Sequence, residues 1–404
     1  MLNNPDYERA RGLLLSHVSP TGAERVPLSQ CGGRVLARDL TARENVPAFD
    51  RSPYDGYALR GGDTASAGKE HPVTLRVLEE VPAGGVPTQA VVPGTAAKVL
   101  TGAPIPDGAD AVIMYEKTVF TEKSVTLFAP VKAGSNVVRT GEDIREGTVL
   151  AQRGAVIDPG LAGTLAAQGE DTPLVYQIPR VAVISTGSEL VEADTVPGAG
   201  QIRNSNRYML ETALRQSGCE PVYLGIAGDS AADISARLNR GLEECDAVVM
   251  TGGVSVGDYD LTPDAMERSG ASFLFRGVDM KPGMACAYGM KEGKLICALS
   301  GNPASALTNF YAVALPALRK LTGRSTCPAR EIQLRLSNGF PKKSPKTRFL
   351  RGKLILKDGT VCMELPEDQG NVVLSSAIGC NVMALVPAGS GPLEAGTVLK
   401  GFLL

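Results

Sequence analysis

The stretch from Asp246 to Asp260, D-A-V-V-M-T-G-G-V-S-V-G-D-Y-D, runs from a short apolar segment into a loop with three glycines, two hydroxyls and two aspartates. Small residues let backbone N–H groups approach an anion closely, and such concavities hold phosphates. Carboxylates beside a phosphate call for a cation, because a bare carboxylate repels the ligand. The chemistry implied is that of a phosphorylated ligand with a metal. A lone glycine-rich loop can equally be a strand-to-helix turn that needs glycine for its geometry. Two more loops of the same kind follow apolar runs here. Arg180–Ile184 leads into Ser185-Thr186-Gly187-Ser188-Glu189, and Lys294–Leu299 leads into Ser300-Gly301-Asn302-Pro303. In a doubly wound sheet the ligand crevice lies beyond the carboxyl ends of the strands, where three such loops converge.

The elements that position these loops follow from periodicity. Asn4 as N-cap, Pro5, and the helically spaced Tyr7, Ala10, Leu14 and Val18 predict a helix over residues 5–18. From about Val26 to Glu170, short β-type runs (73–80, 96–100, 111–120, 124–128) alternate with Pro/Gly turns and read as a β-rich module. From Pro179, strand-like runs at 180–184, 221–226, 246–250, 272–275 and 294–299 alternate with helical segments. These are 207–217 (capped by Asn206 and ended by Gly218), 230–245, and one opened by Pro303. Such alternation predicts an α/β domain, a parallel sheet with helices on both faces. After Thr326-Cys327-Pro328 a last β-rich stretch predicts a small barrel or sandwich.

Composition narrows the function. A chain of 404 residues is expected to form roughly two to four domains. No apolar run is long enough to span a bilayer. The start M-L-N-N-P-D-Y-E lacks the basic and apolar pattern of a secretion signal, so a cytoplasmic location is expected. A net charge of −2 and no basic block argue against nucleic acid as partner. Eight cysteines without a C-x-x-C pair form neither a zinc motif nor a disulfide framework. His17 and His71 lie far from every glycine-rich loop, which disfavours histidine acid/base chemistry and histidine-ligated metal. There is no G-x-x-x-x-G-K-[ST], and Gly198-Ala199-Gly200 lacks the third glycine of a dinucleotide turn.

With these loops read, the chain closely resembles the molybdopterin molybdenumtransferases, the bacterial molybdenum insertases also represented by the gephyrin E domain. The likeness runs through S-P-Y-D-G-Y-A (52–58), T-G-A-P-I-P-D-G-A-D (101–110), G-E-D-I (141–144), S-T-G-S-E-L (185–190), G-Q-I-R-N-S-N (200–206), T-G-G-V-S-V-G-D-Y-D (251–260), M-K-P-G (280–283) and G-N-P-A-S (301–305). The resemblance implies an elongated, multi-domain subunit that works as a homodimer. Residues 1–46 and 144–178 would form a linking domain, with a β-rich domain, 47–143, inserted in it. Residues 179–326 would be the doubly wound, pterin-binding α/β domain, and 327–404 a C-terminal β-barrel. The implied reaction takes adenylylated molybdopterin and molybdate, cleaves the phosphoanhydride, releases AMP and leaves molybdenum on the dithiolene sulfurs. The molybdopterin adenylyltransferase and cofactor-accepting proteins are the implied protein partners.

That chemistry distributes roles over the residues. Mg²⁺ held by carboxylates neutralises a diphosphate, and Glu189, Asp229 and Asp258 sit in loops at the expected strand ends, with Asp258 the leading ligand. Asp229 reads equally well as the N-cap of the following helix. Thr186, Gly187, Ser188, Gly252, Gly253 and Ser255 would donate to phosphate and pterin, the Gly301-Asn302-Pro303 turn would bind substrate, and Asn204 and Asn206 would face the pterin edge. Asp55-Gly56 alone is an ordinary turn. The resemblance gives Asp55, Thr101 and Asp143 catalytic roles beside Glu189 and Asp258, in a site completed across the dimer. Lys281, Ser305, Arg351 and Ser375 match positions for the molybdate dianion. The family's G-R-x-[DE]-[FY]-x-R stretch is degraded here to Lys346-Thr347-Arg348-Phe349-Leu350-Arg351, and Ser300 and Ala285 replace frequent prolines. Rival readings are an adenylyltransferase of the same fold, a dimeric scaffold protein and a molybdate-independent phosphoesterase.

Overall fold

A computed structural model describes residues 2–254, 261–327 and 330–404. The expected contributions of Ser255 and Asp258 therefore lie outside the described residues. The chain divides into two compact units. One comprises Met1–Arg38, Arg153–Ala162 and Thr172–Leu404; the other comprises Asp39–Gln152 and Gly163–Asp171.

The larger unit is built on a seven-stranded sheet. Strands Glu220–Ala227, Arg180–Thr186, Ala247–Thr251 and Lys294–Leu299 lie side by side and parallel. Alternate residues of the two middle strands enter different cores, as the period of two requires. Val181, Val183 and Val249 pack with Leu14, Leu210 and Phe310 on one face. Ala182, Ile184, Val248 and Met250 pack with Ile234, Leu238 and Met266 on the other. Burial on both faces explains why these runs are apolar throughout rather than alternating.

The sheet is mixed, where the sequence pattern predicted it wholly parallel. Cys286–Lys291 pairs antiparallel with Lys294–Leu299, and Ser272–Arg276 pairs antiparallel with Cys286–Lys291. The hairpin turn is Glu292-Gly293, both at positive φ (50° and 78°), the backbone of a tight two-residue connection. Two helix caps also differ from expectation. The first helix is Tyr7–His17, capped by Asp6, whose side chain accepts from the Arg9 N–H; Asn4 precedes it at φ 46°. The helix Ser205–Gln216 is capped by Asn204, not Asn206.

Beyond Arg330 five antiparallel strands, in the order Ile332–Arg335, Val398–Leu403, Val382–Val386, Arg348–Lys357 and Thr360–Glu364, form a nearly closed barrel. A bridge from Leu336 to Met363 links its outer strands, and Leu334, Leu350, Met363 and Val382 fill it.

The smaller unit carries a six-stranded sheet in the order Ala111–Met114, Gly56–Leu59, Thr95–Val99, Val73–Val81, Ser124–Leu127, Thr118–Phe120. The run 111–120, read as one strand, is broken by a 3-10 turn at Tyr115–Lys117. Gly56–Leu59 is a fully buried central strand concealed behind the Asp55-Gly56 turn signal. A side chain at Gly56 would run into the Ile113 carbonyl of the neighbouring strand. Among the described residues no helix is long and apolar enough to cross a membrane.

Candidate active site

Arg180–Thr186 lies between Glu220–Ala227 and Ala247–Thr251, so the connections diverge at the carboxyl ends of Arg180–Thr186 and Ala247–Thr251. That is the switch point at which doubly wound sheets bind ligands. The two ends are tied directly: Thr186 Oγ1 donates to the Thr251 carbonyl at 3.1 Å. Gly252 (φ 98°) lies so close that a Cβ would strike the Thr186 hydroxyl and carbonyl, and at Gly187 (φ 137°) a Cβ would strike the Glu189 carboxylate. At Gly252 positive φ and close approach to backbone together call for glycine, and at Gly187 the positive φ does. The result is a cavity of about 620 Å³. Its lining includes Thr186, Gly187, Glu189, Asp229, Gly252 and Gly253, together with Asn204, Asn206, Ser300, Gly301, Asn302 and Pro303.

The acidic side chains of this cavity are held by the loops themselves. Asp229 Oδ2 accepts from the Ser188 N–H at 3.2 Å and from the Ser188 hydroxyl. It does not cap the next helix: Ser230 holds the N-cap position without a side-chain bond, and Asp233 accepts from the Gly228 N–H at 2.9 Å. Glu189 lines the same cavity. Two carboxylates with room for water and phosphate oxygens form the kind of donor set Mg²⁺ takes, since it keeps several waters and one or two protein carboxylates. Among the described residues no third carboxylate, histidine or cysteine joins them in one cluster.

The two asparagines separate sharply. Asn204 is engaged internally: its Oδ1 accepts from Ser185 Oγ and the Arg207 N–H, and its Nδ2 donates to Ser185 Oγ and Tyr223 Oη. Tyr223 Oη in turn donates to Glu192 at 2.6 Å, and Arg207 stacks over the Tyr223 ring at 3.7 Å while donating to Glu192 and Glu211. Asn206 Nδ2 donates to the Gly301 carbonyl at 2.8 Å, whereas its Oδ1 is buried without a donor. A buried acceptor left unpaired costs about 1–3 kcal/mol, so its natural partner is a ligand donor.

A second cavity, about 630 Å³, adjoins the first through Ala285, Ser300 and Asn302, which line both. It is basic: Lys281, Lys342, Lys346 and Arg348 line it, together with Ser305. Lys346 pairs with Asp279 at 2.8 Å. Arg351 lies elsewhere. It is fully buried, donating to Thr308 Oγ1, Ser376 Oγ and the Gly370 carbonyl, and burial pulls its pKa down. Its hydroxyl partner is Ser376, while the neighbouring Ser375 is exposed. The sequence reading set Arg351 at the oxyanion and quoted Lys346 to Arg351 as a degraded family stretch with its register open; the bases of that run that line the cavity are Lys342, Lys346 and Arg348.

In the smaller unit, Thr101 donates to Asp55 Oδ1 through its N–H at 2.6 Å and its hydroxyl at 2.9 Å. These two bonds, backbone first, with Lys98 nearby, lower the Asp55 pKa although the carboxylate is exposed. Asp143 is exposed, its N–H bonded to the Val46 carbonyl.

Three family models match the chain in order: the MoeA N-terminal region (domain I and II) over residues 6–169, the probable molybdopterin binding domain over 182–320, and the MoeA C-terminal region (domain IV) over 333–403. The molybdopterin molybdenumtransferase of Bacillus subtilis is 36% identical over 386 residues, 94% of this chain and 90% of that protein. The chain belongs to the molybdopterin molybdenumtransferase family. The Staphylococcus epidermidis member is 33% identical over 98% of this chain and 94% of its own. The crystal structure of the Pyrococcus horikoshii molybdopterin biosynthesis moeA protein superposes with a TM-score of 0.86 at 32% identity, covering 99% of this chain and all of that one. Against the molybdopterin molybdenumtransferase pattern, the two proline losses fall at one place. Ala285 and Ser300 both lie where the acidic and basic cavities meet, and Ser300 Oγ accepts from the Asn302 N–H at 3.2 Å.

Proposed function

We propose that this chain transfers molybdenum from molybdate to adenylylated molybdopterin, releasing AMP, in molybdenum cofactor biosynthesis. One observation carries the reading: a glycine-lined cavity bearing carboxylates adjoins a cavity bearing four cationic side chains, and the two share Ala285, Ser300 and Asn302. A diphosphate with a metal suits the first, and a tetrahedral dianion suits the second. A plain phosphoesterase has no use for a second, basic compartment. The full-length likeness to transferases, including the regions before and after the α/β domain, weighs against the stand-alone adenylyltransferase and scaffold readings.

In this proposal Glu189 and Asp229, with Asp258, hold Mg²⁺. When bound, Mg²⁺ supplies charge neutralisation at the diphosphate. The Gly253 N–H meets the phosphates, while Gly187, Gly252, Thr186 and Ser188, whose N–H or hydroxyl groups already donate to Ala227, Leu299, Thr251 and Asp229, shape the cavity around them. The free Asn206 oxygen accepts from the pterin edge, while Lys281 and Ser305 bind molybdate. The protein works as a cytoplasmic homodimer, and Asp55, Thr101 and Asp143 of one subunit complete the site of its partner. AMP release from adenylylated molybdopterin, assayed with Mg²⁺ and with or without molybdate, tests the function; release indifferent to molybdate would favour the phosphoesterase. Mixing separately inactive Asp55→Ala and Asp229→Asn proteins tests the shared site, since only a site composed from both subunits regains turnover on mixing.

A further inference from the structure

Arg348 sits in the wall of the basic cavity with 7% of its surface exposed. Its Nε donates to Ser344 Oγ at 3.0 Å, and its guanidinium lies 5.2 Å from the centre of the Phe340 ring. A hydroxyl and an aromatic face orient the group but bring no negative charge. No carboxylate pairs with it among the described residues, and burial, the sole cause acting on it, lowers its pKa. A buried cation in that position costs stability, because desolvation is not repaid by an ion pair. The chain holds it there through the backbone: the Lys281 N–H donates to the Thr347 carbonyl and the Phe349 N–H to the Lys281 carbonyl, both at 2.9 Å. Lys281 and Arg348 are thus bridged partners lining one cavity. Of the neighbouring cations, Lys346 is already matched by Asp279.

We propose that Arg348 is the counter-charge for a tetrahedral oxyanion held between it and Lys281, and that it sets the oxyanion affinity of this chain. The planar guanidinium presents two N–H groups to two oxygens of one anion, and Lys281 adds a mobile point charge. The fully buried Arg351 does not line this cavity: its Nη groups donate to Thr308, Gly370 and Ser376, and its Nε is buried without a partner. The inference rests on the molybdate-transfer reading for the biological role of the anion, but not for its existence. A phosphate group of the substrate has the same tetrahedral chemistry and is the other source.

The test is thermal unfolding and equilibrium binding of the full-length protein with sodium molybdate, sodium phosphate or AMP, at matched ionic strength. The proposal expects molybdate to raise the wild-type Tm by mass action. Arg348→Gln should keep or raise the unliganded Tm, because a buried unpaired charge is removed, and should weaken binding by about tenfold or more. A structural role would instead lower the unliganded Tm and leave the molybdate Kd unchanged, which overturns the proposal. Should Arg348→Gln fail to fold, Arg348→Lys is decisive: weaker binding at wild-type Tm supports the two-pronged contact, and an unchanged Kd overturns it. Phosphate or AMP binding with the same Arg348 dependence, in place of molybdate, supports the site and assigns it to the substrate's phosphate. No anion binding by the wild type overturns it. Molybdate-dependent AMP release with an Arg348-independent Kd would sink this inference and leave the function standing. Arg348-dependent binding without AMP release would do the reverse.

Discussion

Asn206 donates its amide N–H to the Gly301 carbonyl at 2.8 Å and thereby turns an unpaired, buried carbonyl oxygen toward no protein donor. The bond fixes the amide orientation, so the free oxygen is an acceptor in waiting beside the glycine-lined cavity. Asn206→Ala is expected to weaken substrate binding about tenfold, the worth of roughly one well-placed hydrogen bond, with little change in Tm. Asn204→Ala should behave oppositely. It removes a helix cap and strands buried partners at Ser185 and Tyr223, at a cost of about 1–3 kcal/mol in urea unfolding. Equal effects from the two substitutions would contradict the division of labour.

The carboxylates proposed to hold Mg²⁺ separate fold from turnover. Asp229→Asn and Asp258→Asn are expected to leave Tm close to wild type and to lower AMP release by about 100-fold, as losing a ligand to a charge-neutralising cation would. The Asp229 substitution should also shift the Mg²⁺ concentration for half-maximal rate upward. Wild-type turnover in either variant would refute its assignment as a metal ligand.

How far the site was legible in the sequence depends on how local each determinant is. The runs at 180–184, 246–250 and 294–299 announced buried parallel strands because they are apolar on both faces, and their glycine loops marked the switch point. Cys286–Lys291 stayed hidden because C-A-Y-G-M-K carries no simple alternation and pairs back through a two-residue turn. Gly56–Leu59 was hidden by its own turn signal. Cap choices went astray by two positions at Asn4 and Asn206, since Asp6 and Asn204 are chemically equal candidates a step away. Which arginine faces a cavity was beyond local reading: Arg348 and Arg351 share a strand, and the partners that take Arg351 inward, Thr308 and Ser376, are distant in sequence.

The Asp55–Thr101 pair predicts a pH effect of defined sign. Two bonds from Thr101 hold the folded-state pKa of Asp55 below its ordinary value, so the pair adds stability above the usual carboxylate range, about pH 4. That contribution is lost as pH falls through the lowered folded-state pKa. Thr101→Ala removes the hydroxyl bond and should move the Asp55 carboxyl titration, followed by NMR, upward toward the unperturbed value. A titration that stays put would show that the backbone bond alone sets the shift.

Tyr223 anchors the asparagine loop from behind. Its hydroxyl bridges Glu192 and Asn204, and burial, then the bond to Glu192, raises its pKa. Tyr223→Phe should cost about 1–3 kcal/mol of stability by leaving Glu192 and Asn204 short of a partner. Its substrate Kd should rise only through Asn204 and the loop. Unchanged stability, measured by urea unfolding, would remove Tyr223 from the scaffold of the site.

The central claim is that cleavage of the adenylylated substrate is coupled to uptake of the oxyanion next door. The most direct test measures AMP released and molybdenum retained in the pterin product, in one reaction with Mg²⁺ and increasing molybdate. The proposed coupling predicts that both rise together, one molybdenum retained per AMP released, and that both vanish without molybdate. AMP released at full rate with no molybdenum in the product would contradict it.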